Sequence, residues 1–116
     1  MGSKDDTPDL EQRKSQRFRV ELAVKIHFLD NGRPTTAHGT GSNISDGGMQ
    51  LFISRNLEVG QKVTLELTLP YHRQPLTLRA IIKNRVSFNY GVEFVDPSEH
   101  DRQVILQNCR VLALMQ

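Results

Sequence analysis

One cysteine, no tryptophan and no long apolar run set the first limits on this 116-residue chain. Cys109 has no partner for a disulfide within the chain, and no Cys-x-x-Cys metal or redox pair exists. That usage suits a reducing compartment, and the cytoplasm is the expected location. A helix that spans a membrane needs roughly 18 or more consecutive apolar residues, and the sequence has no such run. The polar, acidic beginning is unlike a secretory signal. Aromatic residues make up only 6% of the chain, which leaves few platforms on which unpaired bases could stack.

Net charge is only +2, but it is unevenly spread. Residues 1–11 carry Asp5, Asp6, Asp9 and Glu11 against Lys4, a local −3, which leaves +5 on the rest. Arg13, Lys14, Arg17 and Arg19 crowd into seven residues. Such a cluster favours an anionic partner, and a solvated basic arm is the plainer alternative. A chain of this length is expected to form one domain, able to bury roughly two-thirds of its unfolded surface.

The body of the chain reads as strands. Phe18, Val20, Leu22, Val24, Ile26 and Phe28 occupy every second position, with Arg19, Glu21, Lys25 and His27 between them. Period two over this length means a strand with one buried face and places His27 on the exposed one. Asn31-Gly32 is a turn signal. The small, polar residues 35–45 are a weaker strand candidate, closed by Asp46-Gly47-Gly48. Alternation returns at Met49–Ile53, Val63–Leu69, Leu76–Ile82 and Phe88–Phe94. Six short strands at this spacing predict an antiparallel barrel or sandwich. From Ser98 the period changes: Val104, Ile105, Asn108, Cys109, Val111, Leu112 and Met115 share a broad helical face, and Ser98 is suited to cap the helix.

Catalytic patterns are weak. His27, His38, His72 and His100 lack metal-ligand spacing. Ser45 precedes a hairpin and lacks the first glycine of a Gly-x-Ser-x-Gly elbow. Gly39-Thr40-Gly41 opens like a dinucleotide loop, but Ile44 stands at the third glycine and no helix follows. No enzyme is expected.

Two features remain. Arg13 and Arg17 form an Arg-x-x-x-Arg arm before the first strand. Two guanidinium forks can converge on one ligand, holding phosphate or pairing with guanine O6 and N7. The second feature is Asn43-Ile44-Ser45-Asp46-Gly47-Gly48. Alternation would put Asn43 and Ser45 on one face, while Gly48 lacks a side chain where a ligand or another backbone approaches. Each feature alone is equally a solvated arm or a hairpin turn.

In this order and spacing, with Gly91-Val92-Glu93-Phe94 near the end of the strand region, the two features resemble the PilZ domain family. The resemblance covers about residues 12–112. It implies an all-β fold with one C-terminal helix, a six-stranded antiparallel β-barrel. The expected organisation is a flexible acidic tail over 1–11 and a PilZ-like domain over 12–116, with the arm at 12–18, the barrel at 18–95 and the helix at 98–115. The resemblance also implies binding of cyclic di-GMP, a bacterial second messenger. Arg13 and Arg17 would hold phosphates and guanine as the arm closes, and Asn43, Ser45 and Gly48 would shape the facing surface. The family more often has Asp where this chain has Asn43. An amide offers one acceptor and two donors where a carboxylate only accepts. In the family, an arginine just before the arm is associated with a second bound ligand; Gln12 stands there, which implies one ligand per domain.

The expected role is therefore a non-catalytic receptor whose change of shape is seen by a partner protein or a fused domain. A small barrel that binds single-stranded nucleic acid is one alternative; no DNA or RNA partner is expected, because Phe18, Phe28, Phe88 and Phe94 read as core. A nucleotide-free interaction module is the other.

Overall fold

The computed structural model describes residues 16–116, so Gln12, Arg13, Lys14 and the acidic segment 1–11 lie outside the described residues. The long alternation becomes β1 (Phe18–Asp30), which turns at Asn31-Gly32 into β2 (Arg33–Ile44). Both turn residues have positive φ, 52° and 79°, and Asp30 pairs with Arg33 across them. Asn-Gly accepts that geometry at low cost, and its twist matches the flanking strands. Then follow β3 (Gly48–Ile53), β4 (Lys62–Leu67), β5 (Leu76–Val86), β6 (Asn89–Phe94) and α1 (Glu99–Met115).

The strands pair antiparallel in the order β1-β2-β3-β6-β5-β4, and β4 returns to β1 through Val24–His27 and Thr64–Leu67. The sheet is thus a closed barrel, not a sandwich. Closure gives every strand a neighbour on both sides, which removes most of the hazard an open edge presents. Ile26, Leu51, Ile53, Leu65, Leu78 and Ile82 point inward and are almost wholly buried. Each such side chain contributes roughly 1.5–3 kcal/mol relative to exposure.

One end of the barrel is closed by the segment after β3. Tyr90 is fully buried; its hydroxyl donates to the Arg55 carbonyl and accepts from the Leu57 amide at 3.0 Å. The Arg85 guanidinium lies 5.1 Å from the Tyr90 ring centre and donates to the Leu57 carbonyl at 3.0 Å. On α1, Ser98 caps the first turn by accepting from the Asp101 amide at 3.0 Å. Ile105, Cys109 and Leu112 join the core, with Asn108 buried beside them.

Three local expectations need correction. Met115 is 66% exposed, because the buried face of α1 ends at Leu112. Phe88 belongs to the β5–β6 turn, where it meets Phe52 edge-on at 6.5 Å. His27 is half-buried on the outer face, with Nδ1 2.9 Å from Thr36 Oγ1 and Nε2 3.1 Å from Glu66 Oε1.

Candidate functional site

Strand register brings together residues far apart in sequence. Phe18 pairs with Ile44 and Arg19 with Asn43, so β1 begins where β2 ends. Arg17, exposed, stands just before β1 and therefore emerges beside the turn over residues 45–48. Arg13 lies outside the described residues. The register is irregular here, shifting between Arg19 and Leu22 on β1 and between Gly41 and Asn43 on β2. Ile44 and Met49 are a buried pair, which leaves Asn43 and its partner Gln50 on the outer face, both half-buried. The site thus has an exposed cation on the approaching chain and an amide surface beneath it.

The turn itself is closely built. β2 ends at Ile44, so the alternation expected to align Ser45 with Asn43 stops there. Ser45 is 6% exposed and its amide donates to the Gly48 carbonyl at 2.9 Å. Its hydroxyl accepts from the Gly47 amide at 3.3 Å and reaches the Gly48 carbonyl at 3.4 Å. The side chain therefore faces the backbone of its own turn. At Gly48, a Cβ would run into the Val92 carbonyl oxygen, so the close neighbour that requires glycine is strand β6.

On α1, Cys109 lies within electrostatic reach of Asp46 in this turn. Burial first, and the Asp46 carboxylate second, push the Cys109 thiol up to about 11. Neighbouring Asn108 is 3% exposed, and its Oδ1 has no hydrogen-bond partner among the described residues. The end of the chain reaches β1: Arg19 donates its amide to Gln116 Oε1 at 3.0 Å, and Gln116 Nε2 donates to the Arg19 carbonyl at 2.6 Å. Further from the turn, Lys83 and Glu93 form an exposed ion pair at 3.4 Å, a kind of contact that contributes at most about 1 kcal/mol.

A groove of about 520 Å³ lies elsewhere, lined in part by Phe28, Leu29, Lys62, Arg79, Ile81 and Val95, and includes none of the sequence-derived candidates. Among the described residues, no group of three His, Cys, Asp or Glu side chains could hold a metal ion, and no helix is long and apolar enough to cross a membrane.

The family model for the PilZ domain matches residues 11–110, and the chain belongs to the PilZ domain family. The fold agrees with solved structures. The Bacillus subtilis inhibitor of motility, MotI/DgrA, superposes with a TM-score of 0.75 at 20% identity over 90% of this chain. This chain spans about half of that protein, 52% of its length. The PilZ domain of YcgR from Escherichia coli, solved with c-di-GMP, gives 0.69 at 12% identity, covering 90% of this chain and 93% of that one. The PilZ domain of CeSA from a cellulose-synthesizing bacterium gives 0.65 at 17% identity, covering 88% and 100%. No curated protein sequence matches the chain.

Proposed function

We propose that this domain is a non-catalytic receptor for cyclic di-GMP in the bacterial cytoplasm. One observation supports the reading: Arg19 pairs with Asn43, so Arg17, two residues earlier, stands beside the Asn-x-Ser-x-x-Gly turn, although the two motifs are about thirty residues apart. Membership of the PilZ family and the YcgR domain solved with c-di-GMP support it. Arg13 and Arg17 supply guanidinium forks to the phosphates and a guanine edge. Asn43 offers its amide from the outer face, while Ser45 and Gly48 hold the turn at the height the ligand needs. Ligand binding then draws the arm ahead of Phe18 onto the barrel and presents an altered surface to a partner protein or fused domain.

Calorimetry with cyclic di-GMP, and with GMP and cyclic di-AMP as controls, tests the reading. Saturable binding of cyclic di-GMP alone, with one ligand per domain, is the expected result. Absence of cyclic di-GMP binding would overturn it and leave a nucleotide-free interaction module in its place.

A further inference from the structure

The Arg19–Asn43 pair is the start of a longer row. Asn43 pairs with Gln50, Gln50 with Gly91, and Gly91 with Asn84, so one line crosses β1, β2, β3, β6 and β5. Its members face outward, because Met49, Leu51, Tyr90 and Val92 beside them are buried in the barrel. At about 4.8 Å per strand, the line from Asn43 to Asn84 spans about 14 Å, a length comparable with a nucleoside.

Two irregularities put the asparagines there. On β5, Leu76, Leu78, Ala80 and Ile82 point inward, and simple alternation would send Asn84 inward as well. The register shifts between Ile82 and Asn84, and Asn84 is exposed. The shift between Gly41 and Asn43 does the same for Asn43 on β2. A bulge costs ladder hydrogen bonds, and bulges concentrate where a side chain must be re-aimed at a site. Here two of them serve one row.

Gly91 sits between the amides and is covered by them. A Cβ there would lie 2.6 Å from Asn84 Oδ1, 2.8 Å from Asn84 Nδ2 and 2.8 Å from Gln50 Oε1. The two side chains therefore lean over the bare backbone of β6 from opposite sides. Among the described residues, no hydrogen bond joins the amide of Asn43, Gln50 or Asn84 to another group.

We infer that Gln50 and Asn84 extend the nucleotide site across β3, β6 and β5, and that their carboxamides read the edge of a guanine lying over Gly91. The inference rests on the cyclic di-GMP reading. A carboxamide carries an acceptor and two donors side by side. Guanine presents the N1 and N2 hydrogens to an acceptor and O6 and N7 to donors. Gly91 lets the two amides lie low over β6, so that a base resting above them meets both.

The test uses the full chain, with cyclic di-GMP and its inosine analogue cyclic di-IMP, which lacks the exocyclic amine. Gln50→Ala and Asn84→Ala should each weaken cyclic di-GMP binding about three- to tenfold, the scale of one neutral hydrogen bond. The double variant should also bind the two ligands more equally than the native chain, which loss of structure alone would not produce. Gly91→Ala is the second probe. The atoms nearest its methyl are the ends of two side chains and not backbone, so the fold should persist with a similar melting temperature while cyclic di-GMP binding weakens. The inference is overturned if the native chain binds cyclic di-GMP and the double variant matches it within twofold with the same preference over cyclic di-IMP. Failure of the native chain to bind overturns the receptor reading, and this inference with it.

Discussion

The carboxamide of Gln116 pairs with the backbone of Arg19 as a neighbouring strand would, accepting from its amide at 3.0 Å and donating to its carbonyl at 2.6 Å. The edge of β1 is available to it because β4 pairs with β1 only from Val24 to His27. A residue just after α1 thus holds the backbone at Arg19, two residues beyond Arg17, and ties the start of β1 to the end of the helix.

Gln116→Glu should expose that link. A carboxylate still accepts from the Arg19 amide but cannot donate to its carbonyl, and it sets two acceptors against each other. Both groups are exposed, so a loss of about 0.5–1 kcal/mol is expected, the lower part of the range for one hydrogen bond. Hydrogen exchange at the Arg19 amide should quicken in Gln116→Ala while exchange in β3 and β6 stays as it was. Unchanged exchange at Arg19 would show that the contact does not hold β1.

Arg17→Ala should weaken cyclic di-GMP binding by about 1.5–3 kcal/mol, the value of a charge-assisted hydrogen bond. The melting temperature should hardly change, because Arg17 is exposed and precedes β1. Arg17→Lys should recover little, since an ammonium lacks the planar fork. Arg13→Ala should behave alike. Calorimetry on the double alanine variant decides the assignment, and native affinity there would sink it.

Much of the fold was legible in the alternation. Phe18 to Phe28, Leu76 to Ile82 and the change of period after Ser98 announce their elements, since a barrel strand with one wet face must alternate and a packed helix must not. The weak candidate over residues 35–45 became β2 because two neighbours satisfy its backbone, whatever its poor propensity. Choosing a barrel over a sandwich depends on β4 meeting β1, a pairing that local pattern does not encode. At the site, the motifs marked Asn43 and Gly48, but alternation misassigned the Ser45 side chain because β2 stops one residue earlier. Alternation also misplaces Asn84. Asn84 continues an inward-pointing series, and only the shift after Ile82 turns it outward.

The turn residues should separate stability from binding. Gly48→Ala forces a methyl against the Val92 carbonyl, which is fixed backbone of the β3–β6 pairing. Overpacking of that kind costs about 1–3 kcal/mol. Ser45→Ala removes two long bonds within the turn and should cost about 1 kcal/mol. Urea unfolding should show both losses without ligand present, larger for Gly48. A Gly48→Ala chain as stable as the native one would mean that β6 does not press on the turn.

Cys109 gives the turn a pH signature. An unperturbed thiol ionises near 9.0, whereas burial and the Asp46 carboxylate raise Cys109 to about 11. Below pH 9 folded and unfolded chains both keep the proton, and the thiol adds no pH dependence. Between about 9 and 11 the unfolded chain sheds the proton while the folded chain retains it, so stability falls as pH rises through that window. Lysines and tyrosines also titrate there, so the informative quantity is the difference between the native chain and Cys109→Ala. That difference should be constant from pH 7 to about 8.5 and then shift steadily against the native chain as the pH approaches 11. Asp46→Asn should shrink the shift without abolishing it, because burial is the larger cause. Urea midpoints across the series read the effect directly, and a difference that stays constant to pH 11 would mean that the folded chain does not hold the Cys109 thiol in its neutral form.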